Sequence, residues 1–180
     1  MNYFYHLLPE PFIGSKLIPL NEMNPEGELY KSHNRKYLGR EELTEEIIPI
    51  LNCKWNDVVQ FSALNPQLII NELRKIQSDF QLFRTKCFKV SVVEVEELYE
   101  GVIFNRNINQ KKGDFSISDE EVMALNSKNY TELKSVPPET MNYWNSVKRD
   151  GGKFLWFPYI THIFLKGAID TTNFEVINLK

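Results

Sequence analysis

The chain has 180 residues, 42% of them hydrophobic and 25% charged, with a formal net charge of −3. A chain of this length buries roughly 70% of the surface its unfolded form exposes, enough for one domain, residues 1–180, with a real core. The small acidic excess excludes a general nucleic-acid binder with a basic footprint, although it leaves room for one basic loop to visit nucleic acid.

The opening "MNYFYHLLPE" has no positive n-region and no long apolar h-region, so it is not read as a signal peptide. No apolar run approaches the roughly 18 residues of a membrane span. A cytoplasmic protein with no membrane partner is the expectation, and its two cysteines, Cys53 and Cys87, are expected to stay reduced. The 12 Phe, 8 Tyr and 3 Trp are expected to build the core and its rim, since each buries a large area.

"YFYHLL" at 3–8 reads as a first strand, closed by Pro9 and Pro11. An irregular stretch leads to "YKSHNRKYLGREELTEE", where Lys31, His33, Arg35, Lys36 and Arg40 form a basic run and helix-favouring acids follow. "DVVQFS" is the next strand, and "NPQLIINELRKIQSDF" is a helix. Asn65 can cap it, Pro66 suits its first position, and Ile69, Leu73, Ile76 and Phe80 recur along one face. "CFKVSVVEV" (87–95) and "VIFNR" (102–106) read as strands, and "SDEE" at 118–121 as a capping box opening a short helix through "VMAL". "SVPPETMNYWNSV" opens another short helix, and Gly151 and Gly152 break the chain. "FLWFPYITHIFL" and "NFEVINL" close it as strands. Strands and scattered helices without βαβ alternation predict an α+β domain with a mixed or antiparallel sheet.

No HExxH, CxxC, GxSxG, Walker A or GxGxxG motif is present, so no metal site is expected. The basic run can hold a phosphate, because guanidinium pairs with phosphate oxygens through parallel hydrogen bonds. A solvated loop balanced by the acids after it is the plain alternative.

Four stretches, in order, resemble the ADP-ribosyltransferase fold, nearest the DarT-type toxins that modify single-stranded DNA with NAD. They are "FYHLLP", "WNDVVQFSALNPQLI", the segment from "VIFNRNINQKKGDF" to "YW" at 143–144, and "ITHIFLKGAIDTTNFEVI". The resemblance implies a split sheet with peripheral short helices and NAD as cofactor, with nucleic acid or protein as acceptor. It places His6 on the NAD ribose and Phe61 and Ser62 on the second strand of the site, with Arg35 or Arg40 as the cofactor-binding arginine. The family's catalytic glutamate falls at His162. That glutamate stabilises positive charge on the sugar as nicotinamide leaves, which requires an anion. Three readings follow. An active transferase would recruit a displaced acid, Glu139 or Glu94. A binding module would keep the fold with little catalysis. An RNA 2′-phosphotransferase-like enzyme would work with His6, Arg35, Arg40 and His162. The acceptor and the oligomeric state are left open.

Overall fold

Strands form where the sequence alternates or runs apolar. In the computed structural model, which describes residues 1–111, 113–152 and 154–180, they are β1 (Tyr3–Leu7), β2 (Lys16–Leu17), β3 (Ile47–Ile48), β4 (Cys53–Lys54), β5 (Val58–Ser62), β6 (Lys86–Ser91), β7 (Gly101–Phe104), β8 (Val122–Ala124), β9 (His162–Lys166), β10 (Ile169–Asp170) and β11 (Glu175–Asn178). The α-helices are α1 (Glu28–Asn34), α2 (Pro66–Ile76), α3 (Val92–Val95) and α4 (Pro138–Asp150), with short 3-10 turns between elements. Seven strands make one sheet in the order β11-β6-β1-β5-β9-β7-β8, and all its strand pairings are antiparallel. The chain is thus a single α+β domain built on one large antiparallel sheet.

Both faces of the sheet are covered, which is why its central strands read as near-continuous apolar runs. On one face Phe4, Val59, Phe61, Phe88, Val90, Ile103, Ile163 and Leu165 pack together beneath Leu17, Val92, Val95 and Tyr130. On the other, α2 lays Ile70 over Tyr5 and Cys87, while Ile69, Leu73 and Ile76 meet Trp144 of α4. Trp55, Leu43 and Ile48 cover Phe104 and Phe164 at the far end of that face. Trp144 is fully buried and donates from Nε1 to the Leu155 carbonyl, at 2.9 Å. Asn65 caps α2 as its sequence predicts, accepting from the Gln67 amide at 2.9 Å.

The seams of the sheet are unequal. β1 and β6 run in register over five residue pairs, as do β5 and β9. β1 and β5 meet only at Tyr5 and Ser62. One half, β11-β6-β1, therefore parts from the other, β5-β9-β7-β8, beyond that contact. The N-terminal part of β1 is fastened from the side. Tyr5 Oη donates to the buried Glu132 carboxylate at 2.8 Å, Lys134 pairs with the same carboxylate at 2.8 Å, and Tyr130 Oη donates to the Tyr3 carbonyl at 2.6 Å.

Several local expectations give way to tertiary pairing. The strand expected through residue 95 stops at Ser91, and "VVEV" turns into α3 because Glu94 accepts from the Ser91 amide. Ser118 and Glu121 do form the capping box, but it holds a 3-10 turn, and "VMA" leaves as β8 to pair Val122 with Phe104. α2 ends at Ile76, and Phe80 packs against Trp156 from outside it. In "FLWFPYITHIFL" only His162 onward is strand, since Pro158 and Tyr159, at φ 59°, break the extended chain. The helix-favouring acids after Arg40 form a 3-10 turn, Glu41–Glu45.

Candidate functional site

Where β1 and β5 part, the molecule holds a cavity of about 800 Å³. That volume lies in the range of sites for cofactors and other small molecules. Its walls come from the diverging strands, including His6, Leu7, Gln60 and Phe61, and from the 9–37 segment that folds across the opening. Phe61 and Leu17 belong to the cluster on one face of the sheet, Trp55 and Val58 to that on the other, so the lining draws on both.

His6 stands at the parting. Its Nδ1 lies 2.7 Å from the Gln60 carbonyl oxygen, and its ring centroid 5.3 Å from that of Phe61. A carbonyl can only accept, so Nδ1 carries the proton and Nε2 is the acceptor of the neutral ring. Burial pushes the His6 pKa down to about 4, with positive charge from Lys36, His33 and Arg84 acting in the same direction. A neutral imidazole with one acceptor suits a sugar hydroxyl.

His162 reaches the cavity lining from β9. Register sets Tyr5, Ser62, His162 and Phe104 in one row across the sheet, on the face opposite His6 and Phe61. The ring lies between Phe157 and Phe164, at 6.3 and 6.1 Å. Burial holds its pKa down at about 4; a hydrogen bond with the Ile160 backbone opposes that shift, and the Arg106 charge adds to it. At neutral pH this position therefore carries no charge of either sign.

The other expected residues divide. Phe61 and Ser62 are on the lining, but Ser62 Oγ is committed to a local turn, donating to the Leu64 carbonyl at 2.9 Å and accepting from the Leu64 amide at 3.1 Å. Arg35 and Arg40 are not on the lining, and Arg40 turns back to the Lys36 carbonyl at 2.6 Å. Glu139 is exposed in the first turn of α4, and Glu94 caps α3; neither lines the cavity. The acids that do, Glu10 and Glu28, are exposed residues, and Glu28 pairs with Lys31 at 3.5 Å.

No family model, curated protein or solved structure matches this chain. Two features of the wall lie outside the sequence expectations. Arg84, from the connection between α2 and β6, lines the cavity beside His33 and Lys36, and no motif around it announces that position. Asn56 also lines it, with its side chain buried and Oδ1 without a hydrogen-bond partner among the described residues. Buried polar atoms are normally satisfied, so an orphaned acceptor on a cavity wall fits a ligand that brings a donor, such as a carboxamide or an amino-purine. Among the described residues no group of three or more His, Cys, Asp or Glu side chains is placed to hold a metal ion. Burial pushes both cysteine thiols up, Cys87 to about 12, so neither is a ready nucleophile. No described helix is long and apolar enough to cross a membrane.

Proposed function

We propose that this is an ADP-ribosyltransferase-like domain that holds NAD, or a nucleotide of the same build, in the cleft between β1 and β5, with ADP-ribosyl transfer weak or lost. The observation that carries the reading is the parting of the sheet at a single residue pair, with the neutral His6 ring turned to the cavity it opens. NAD supplies an ADP-ribosyl unit and nicotinamide as its leaving group. On the protein side, His6 Nε2 accepts from a ribose hydroxyl, Phe61 backs the ring, and the Asn56 amide meets a donor on the base. His162 offers no anion to a developing positive charge on the sugar, and the two carboxylates on the lining, Glu10 and Glu28, are exposed residues away from that position in the sheet. Binding without efficient turnover follows, and the acceptor, nucleic acid or protein, is proposed only for whatever transfer persists.

A phosphotransfer reading, like that of RNA 2′-phosphotransferases, is favoured by one observation: the lining cations Lys36 and Arg84 stand near His6 and His33. Calorimetric titration with NAD and ADP-ribose, on wild type and His6→Ala, tests the main proposal. Micromolar binding that the substitution abolishes supports it. No heat from either ligand overturns it.

A further inference from the structure

Four groups able to carry positive charge converge on one side of the cleft from three places in the chain. His6 comes from β1, His33 from α1 and Lys36 from the turn that follows it, and Arg84 from the 77–85 connection. Their nearness is legible in their mutual influence. Lys36, His33 and Arg84 each act on His6, Lys36 and Arg84 act on His33, and Arg84 acts on Lys36. Burial holds both imidazoles neutral at pH 7, with pKa values of about 4, so the charge of this wall comes from Lys36 and Arg84, and the rings set hydrogen-bonding nitrogens beside it. The two carboxylates on the lining are exposed, and Glu28 is taken up by Lys31. Arg84 is also positioned, since its Nη1 donates to the Leu8 carbonyl at 2.9 Å, directing the guanidinium across the end of β1. A guanidinium fixed by one N–H keeps other donors for phosphate oxygens, and an ammonium beside it adds a point charge.

We infer that Arg84, Lys36 and His33 form an anion subsite at the mouth of the cleft, which takes a phosphate or diphosphate group of the ligand. The subsite deepens the nucleotide reading of the same cleft but needs only a phosphorylated ligand. It replaces the arginines of the basic run, Arg35 and Arg40, with a pair that the sequence separates by 48 positions.

The test is calorimetric titration with sodium pyrophosphate at fixed ionic strength, on wild type, Lys36→Met, Arg84→Lys and Lys86→Met. Arg84→Lys keeps a donor for Leu8, so it separates the fork geometry from folding. Lys86 is exposed and off the lining, so its variant reports the general positive field. Pyrophosphate is expected to bind wild type and Lys86→Met alike, and to bind each of the other two variants about tenfold or more weakly, the loss of one charge-assisted contact. No binding of pyrophosphate at millimolar concentration, or equal weakening by all three substitutions, overturns the subsite. Pyrophosphate binding without any response to NAD keeps the subsite and removes the NAD reading. NAD binding that needs His6 but ignores Lys36→Met and Arg84→Lys keeps the NAD reading and removes the subsite.

Discussion

β1 has two neighbours and treats them differently. Against β6 it pairs residue for residue from Tyr3–Ser91 to Leu7–Cys87, while against β5 it pairs at Tyr5–Ser62 and then departs. The first seam is ordinary sheet, with side chains packed on both faces. At the second, ladder hydrogen bonds are given up, and the wall of the opening carries the Asn56 side-chain Oδ1, which has no hydrogen-bond partner among the described residues. Backbone groups left unpaired inside a protein are costly, so a gap of this kind persists only if something else fills it. Here His6 fills part of it, its ring N–H standing in for a backbone donor to Gln60. The difference teaches that the cleft is made by withholding strand pairing.

The sharpest way to probe that contrast is the row of side chains that crosses the second seam at its one pair, Tyr5–Ser62. Replacing His162 by Glu puts a carboxylate where the resemblance expects one. If the cleft holds NAD, the variant is expected to hydrolyse it at least about a hundredfold faster than wild type, the usual worth of a placed charge in a transition state. Release of nicotinamide measures it, and unchanged rates would separate the fold from that chemistry.

A second experiment sets packing inside the sheet against packing at the opening. Phe164 on β9 is fully buried and stacks on Phe104 at 5.0 Å with Trp55 at 4.9 Å. Phe164→Ala is expected to cost about 3–5 kcal/mol in urea unfolding. Leu7→Ala, at the half-exposed end of β1 beside the opening, is expected to cost well under half of that, and equal losses would deny that packing is looser at the opening than inside the sheet.

The smallest effect is a slope. His162 has its pKa lowered in the fold, to about 4 against an ordinary 6.5, so between those values the unfolded chain binds more protons and stability falls as pH falls. Stability attributable to it is whole above about pH 6.5 and lost on the way down to about 4, at roughly 1.4 kcal/mol per pH unit at most. Unfolding measured at pH 7 and pH 5 should show a shallower decline in His162→Gln than in wild type. Parallel declines would mean that the ring is not the group responsible.

What the sequence made legible was local. Asn65 and Pro66 announce α2 because a cap and a first-turn proline act within a few residues, and the aromatic, apolar and β-branched residues of "YFYHL" and "VVQFS" mark β1 and β5 for the same reason. "VMA" became a strand because Phe104 is there to pair with Val122, which no local pattern carries. The site divides along the same line. The resemblance points to His6 through the order of short apolar blocks, and the fold sets that residue on the cavity wall. Lys36 and Arg84 face one wall only because the connection after α2 returns past β1, whereas Arg35, one residue away from Lys36, points elsewhere on its tight turn.

Tyr5 is held by Glu132 and Tyr3 by Tyr130, so the N-terminal end of β1 is anchored while the other end runs along the mouth. The Tyr5–Ser62 contact is then the point from which the two halves of the sheet diverge. From Tyr5 to Leu8 the strand extends about 10 Å at some 3.3 Å per residue, and over that length it diverges from β5 to open the mouth. The width of the mouth is thus set by where the Tyr5–Ser62 pair stands in β1, three residues before Leu8, whose carbonyl holds Arg84 at 2.9 Å.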